Sequence, residues 1–274
     1  MTLTLGSGPF SRKSAAGRLN FSLDDAPEHI LYIEHYPRRI RAVIGGQTVL
    51  DTTRAKLLHE TAHLPVLYAP LEDLREDLLE ATDHATHCPF KGDASYYTVR
   101  AGDRTEENAV WYYPSPLDGA APIEGHAALY WDRMDAWFEE EEPVFGHLRD
   151  PFHRVDVRES VRHVRIEAGG ETVAESDRPK LLFETGLPVR YYLPQEDVRT
   201  DLLHPTEKSS ICPYKGTASY WSLEVGSERL EDVAFGYSEP LPEALAVAGH
   251  VCLLGDGVTT EVAEAASERP PVPA

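Results

Sequence analysis

The chain is poor in cysteine: 274 residues carry three, Cys88, Cys212 and Cys252, and no two are spaced as a C-x-x-C pair. So sparse and odd a set fits a reducing compartment better than a disulfide framework, so a cytoplasmic location is expected. No run of about 18 apolar residues occurs, which excludes a membrane-spanning helix and makes a membrane an unexpected partner. The opening stretch, MTLTLGSGPFSRKSAAGRLNF, lacks the continuous apolar segment of a secretory leader. Basic charge is scarce as well: 26 Lys and Arg against 46 Asp and Glu leave a formal charge of −20. Nucleic acid needs a basic footprint and is not expected as a partner. The acidic excess reads as solubility and leaves room for a local cationic pocket.

What the chain does contain is itself, twice, at a shift of 124 residues. Cys88-Pro89-Phe90-Lys91-Gly92-Asp93-Ala94-Ser95-Tyr96-Tyr97 returns as Cys212-Pro213-Tyr214-Lys215-Gly216-Thr217-Ala218-Ser219-Tyr220-Trp221, with seven of ten positions identical. The same shift lays Gly45-Gly46 on Gly169-Gly170, Arg54 on Arg178, Lys56 on Lys180, Glu60 on Glu184, Arg75 on Arg199 and His126 on His250. Solenoid repeats run at about 20–50 residues, so a period this long is a whole domain. Each copy, at about 100 residues, is large enough for its own core.

The pattern predicts a polar lead-in over 1–28, a first repeat over 29–138, and a linker over 139–154 signalled by the acidic run Glu139–Glu142 before Pro143. A second repeat over 155–262 and a disordered, proline-rich tail over 263–274 complete the chain. Within each copy the pattern is β. Ile40–Leu50 and Val164–Val173 each read as two short strands around a Gly-Gly turn. Pro188–Pro194 is a short aromatic strand. Glu196–Leu203 follows it as one or two helical turns with acidic residues at its start. Ala218–Val225 and Val233–Tyr237 form a hairpin around Gly226-Ser227, and a last strand follows Gly249-His250. The fold class expected is mainly β, two tandem small antiparallel domains with short helical turns.

The run Lys180-Leu181-Leu182-Phe183-Glu184-Thr185-Gly186-Leu187-Pro188, with Tyr191-Tyr192, Pro194, Asp197-Val198-Arg199 and Cys212-Pro213-Tyr214-Lys215-Gly216, resembles the bacterial domain of unknown function number 427. The resemblance covers both copies. It implies the β-tent topology, a folded pair of small antiparallel sheets, and some records label the family nucleotidyltransferase-like.

The residues do not supply that chemistry. Two-metal transfer needs closely spaced carboxylates, and the Gly-Ser with Asp-x-Asp pattern is absent. Lys91-Gly92-Asp93 only superficially resembles a lysyl-nucleotide motif, and the second copy reads Lys215-Gly216-Thr217. His59-Glu60-Thr61-Ala62-His63 matches the zinc-protease pattern H-E-x-x-H, but Pro65 follows at once and the second copy reads Phe183-Glu184-Thr185-Gly186-Leu187, which predicts a turn. His84, His87 and Cys88 have only Lys208, Ile211 and Cys212 opposite them. No metal and no cofactor are expected.

The repeated polar residues are the candidate site. Lys91 and Lys215 sit three residues from the thiols of Cys88 and Cys212 in a turn that proline and glycine shape. Arg54, Arg178, Arg75 and Arg199 are recurring cations in an acidic chain, with Glu60, Glu184, Asp77 and Asp201 as possible partners; structural ion pairing is the bland account of them. The sharper one has these cations converge with Tyr68, Tyr191 and Trp221 on a small anionic or aromatic molecule. His126 and His250, each after a glycine, suit a backbone hydrogen bond or acid–base work. With no nucleophile–base pair in view, a small-molecule-binding module is favoured over an enzyme. The alternatives are a transferase or hydrolase using Lys91/Lys215 and His126/His250, and a structural or partner-binding protein whose two repeats pack on each other.

Overall fold

The computed structural model describes residues 3–6, 8–11 and 27–263. Most of the lead-in expected over 1–28, and all but the first residue of the tail expected over 263–274, lie outside the described residues. The chain divides into two compact units between His153 and Arg154. Both are antiparallel β structures with short 3-10 turns.

In the first unit the strands are β1 (Leu31–His35), β2 (Ile40–Ile44), β3 (Gln47–Thr52), β4 (Lys56–Glu60), β5 (Val66–Pro70), β6 (Leu79–Cys88), β7 (Gly92–Ala101), β8 (Arg104–Tyr112), β9 (His126–Leu129), β10 (Ala136–Glu139) and β11 (Glu142–Val144). Seven of them form one sheet in the order β1-β4-β5-β9-β8-β7-β6, and β11-β10-β2-β3 form a smaller one. The second unit repeats this with β12 (Val155–Glu159), β13 (His163–Ala168), β14 (Glu171–Ser176), β15 (Lys180–Glu184), β16 (Arg190–Pro194), β17 (Leu203–Cys212), β18 (Gly216–Val225), β19 (Glu228–Tyr237), β20 (His250–Leu253) and β21 (Val258–Ala263). Its sheets run β12-β15-β16-β20-β19-β18-β17 and β14-β13-β21.

Local chemistry accounts for the hairpins. Gly45-Gly46 and Gly169-Gly170 turn β2 into β3 and β13 into β14 with positive φ at both residues, between 55° and 79°, the twist a two-residue hairpin loop needs. The expected Gly226-Ser227 hairpin is β18–β19, with Gly226 at φ 60°. The helical stretch expected over Glu196–Leu203 resolves into two 3-10 turns, Gln195–Asp197 and Thr200–Leu202. Several strands were not anticipated, β1, β4, β12 and β15 among them. β6 and β17 are polar edge strands exposed along most of their length, so they lack the apolar alternation that marks a half-buried strand. The acidic run expected within a linker forms the β10–β11 hairpin, with Glu140 in the left-handed region. In the second unit β21, beyond the strand expected to be last, fills the equivalent sheet position beside β13.

Strand parity sorts side chains onto two faces of each large sheet. The inner face meets the small sheet: Leu67, Ala69, Val110 and Leu129 pack with Ile40, Ala42 and Leu50, and Leu193, Leu223, Val251 and Leu253 pack with Val164 and Ile166. The outer face carries a second cluster. Leu58, Tyr68, Tyr96 and Tyr113 lie there in the first unit under the 3-10 turn Asp118–Ile123. Leu182, Tyr192, Tyr237 and Cys252 lie there in the second under Pro242–Val247. Burying each such large side chain contributes roughly 1.5–3 kcal/mol.

Candidate functional site

The Cys-Pro-aromatic-Lys-Gly segment is a tight turn between two strands. Lys91 N–H donates to Cys88 O and Lys215 N–H to Cys212 O, both at 3.3 Å, and the lysine carbonyls accept from Leu117 and Leu241 at 3.1 Å. Gly92 and Gly216 follow with φ of 103° and 96°. A backbone held on both sides aims each lysine onto the outer face. There Lys91 Nζ donates to Glu60 Oε2, and Lys215 Nζ to Glu184 Oε2. Glu60 and Glu184 end β4 and β15, where a left-handed residue, Ala62 or Gly186, turns the chain.

Both ion pairs are buried: the side-chain exposures are 10% and 7% for Lys91 and Glu60, and 12% and 7% for Lys215 and Glu184. Burial alone would push the Glu60 carboxyl up. The hydrogen bond and charge of Lys91, with a hydrogen bond from His29, outweigh it and hold Glu60 below the usual carboxylate range. Three phenols complete each cluster: Tyr68, Tyr96 and Tyr113, and their counterparts Tyr192, Tyr220 and Tyr237. Burial pushes Tyr68, Tyr113, Tyr192 and Tyr237 upward, and the Glu60 or Glu184 charge adds to it, so these four remain O–H donors at neutral pH. Cys88 and Cys212 lie half-buried at the margins.

The copies differ where they open. In the first, His29 Nε2 hydrogen-bonds Glu60 Oε1 at 2.8 Å, and its ring stacks on Phe90 with centroids 3.6 Å apart. In the second, Arg190 stands where the first unit has Val66. Two residues before Tyr192, it shares that side chain's face of β16. It makes no hydrogen bond or ion pair among the described residues. Arg190 is the neighbour that opposes the rise at Tyr192. Cys252 sits opposite Tyr192 in β20; burial pushes its thiol up to about 12 against the pull of Arg190 and Lys215.

The other expected residues lie elsewhere. Arg54 pairs with Glu72 and Asp73, and Arg178 with Glu196 and Asp197. Arg54 and His126 line one open cleft of about 480 Å³. Arg178, Lys180 and His250 line its counterpart of about 750 Å³. Each histidine Nδ1 donates to a carbonyl two residues back, at 2.8 Å for His126 and 2.9 Å for His250. Burial, assisted by Lys56 and Arg54, lowers the His126 pKa. Arg75 and Arg199 form two-pronged pairs with Asp77 and Asp201 at 2.5–2.9 Å. Tyr191 and Trp221 pack on the inner face, across the sheet from Lys215. Parity is the reason: the 124-residue shift carries Tyr68 onto Tyr192, not Tyr191, and that offset marks the residue that faces the lysine. The same offset pairs Tyr96 with Tyr220 and Tyr113 with Tyr237, a signal the motif search passed over. His59 and His63 of the H-E-x-x-H match diverge: His59 bonds Glu34 at 2.9 Å, and His63 bonds Thr61 O.

Two tandem β units, each built on one large and one small sheet with the same Lys-Glu-Tyr cluster on the outer face, define a duplicated single-domain family. The chain belongs to the family described as Domain of unknown function (DUF427), which matches residues 32–140 and 156–264. No curated protein matches the chain.

Proposed function

We propose that the protein binds a small anionic molecule on the outer face of its second unit, between Arg190 and Lys215. The observation that carries this reading is Arg190, a guanidinium that meets no carboxylate among the described residues, on a face where the one carboxylate named, Glu184, is already bonded to Lys215. Arg190, Lys215 and Glu184 bear one net positive charge between them, beside phenols that stay protonated and so offer O–H donors. A planar guanidinium suits a carboxylate or phosphate in two-pronged contact. The Arg178–His250 cleft is larger, but Arg178 and Lys180 are already matched there by Glu196, Asp197 and Glu159, and Asp177 lines it beside Arg162, so an anion there would meet carboxylates. Lys215 is engaged by Glu184 rather than left as a nucleophile, which favours binding over transfer.

The test is thermal shift and calorimetry on the full chain with phosphate, sulfate, acetate and benzoate at constant ionic strength. One of these anions raises the melting temperature above the chloride control, by about 2.7 kcal/mol of stabilisation at a hundred times its Kd. Arg190→Val, the residue of the first copy, weakens that anion roughly 10–100-fold, the loss of a charge-assisted hydrogen bond. Unchanged affinity in Arg190→Val, or no response to any of the four, rejects the reading.

A further inference from the structure

The first unit has a feature with no counterpart in the second. Trp131 and Trp137 stack face to face, with centroids 4.2 Å apart and planes 5° from parallel. The Trp137 indole N–H donates to Trp131 O at 3.0 Å, which fixes the pair. They line a cavity of about 240 Å³ with Met134, Phe145 and two carboxylates, Asp132 and Asp135. Asp135 is engaged by the Gly45 N–H at 2.6 Å and by Arg104 at 3.0 Å. Asp132 is exposed and makes no hydrogen bond or ion pair among the described residues. Phe145 is 53% exposed at the rim. The repeat puts Gly255 in place of Trp131, and the strand register puts Thr260, opposite Ile166, in place of Trp137, opposite Ala42, so the duplicated fold does not require the pair.

We infer that this cavity is a second binding site, specific for a small organic cation of the quaternary or methylated ammonium class. Indole faces carry negative quadrupolar potential and are the best aromatic partners of a cation. Asp132 supplies a formal charge that Arg104 does not cancel. The volume is below the roughly 300 Å³ where drug-sized pockets begin. It equals about eight water molecules at ~30 Å³ each, which suits a trimethylammonium head rather than a large ligand. An anion is excluded by Asp132, so the site differs in charge class and in unit from the one at Arg190.

The experiment titrates the full chain with choline and with its uncharged isostere 3,3-dimethylbutan-1-ol, following tryptophan fluorescence and calorimetric heat. Choline binds about tenfold more tightly than the isostere. Asp132→Asn, a surface change that leaves the fold intact, weakens choline several-fold without affecting the isostere. Trp131→Gly, the second copy's residue, abolishes both signals, and far-ultraviolet circular dichroism checks that it folds. Equal affinity for the two probes, no binding of choline, or an Asp132→Asn variant that binds choline as the parent does each overturns the site. Anion binding at Arg190 is read in separate titrations and is unaffected by either outcome.

Discussion

Lys91→Met removes one half of a buried ion pair while keeping the length of its aliphatic stem. The Glu60 carboxylate, only 7% exposed, then keeps its hydrogen bond with His29 and loses the ammonium bonded to its other oxygen. Breaking a buried pair from one side costs about 3–5 kcal/mol, because the other charge stays desolvated. With a urea dependence of about 2 kcal/mol per molar, a mid-range value, a 4 kcal/mol loss lowers the first unit's midpoint by roughly 2 M. Trp111, Trp131 and Trp137 lie in that unit and Trp221 in the other, so a Trp221→Phe background reports the first unit by fluorescence. The double variant Glu60→Gln/Lys91→Met removes both charges and recovers most of the loss. The deficit also follows pH. The folded pKa of Glu60 lies below its ordinary value of about 4.3, so the pair's contribution is full above that value. It fades as pH falls through the folded pKa, and the gap between parent and Lys91→Met narrows in acid. A midpoint shift under about 0.3 M at neutral pH would show that the pair is not a fixed buried contact.

The remaining predictions concern packing and reactivity. A Cβ at Gly45 would lie 2.1 Å from Ala101 O at φ 55°, whereas at Gly46 nothing stands within 4 Å. Gly45→Ala therefore costs well over the ~1–2 kcal/mol of a left-handed alanine, and Gly46→Ala costs about that amount alone; equal urea midpoints for the two would refute the close approach. Cys252 is buried with its thiol raised to about 12, so iodoacetamide at pH 8 leaves it unmodified until the second unit unfolds. Mass spectrometry showing alkylation of Cys252 in the folded protein at the rate of a free thiol would contradict that burial. Val66→Arg in the first unit, which has His29 on its glutamate, should create no anion site; calorimetry with the anion that binds the second unit decides it.

The duplication, the β character and the Gly-Gly hairpins were legible in the residues, because a 124-residue self-match and a two-residue turn are local patterns. So was the list of repeated polar side chains, including the lysines and the glutamates they meet. How those side chains group was not legible. The repeated arginines Arg54 and Arg178 recur as conspicuously as Lys91 and Lys215, yet they hold 3-10 turns through Asp73 and Asp197. Neighbouring tyrosines, Tyr191 and Tyr192, fall on opposite faces of one strand because side chains alternate there. Arg190 gave no signal at all, since it breaks the repeat rather than following it.

What the chain's letters determined alone is where the turns fall and that two equivalent domains exist, for turn chemistry and self-similarity act over a few neighbouring residues or by direct comparison. What only the tertiary structure decided is which charges are cancelled. Glu60 reaches Lys91 across 31 residues, and Arg190 meets no carboxylate among the described residues. Electrostatic matching depends on distance and burial in space, which linear order does not encode.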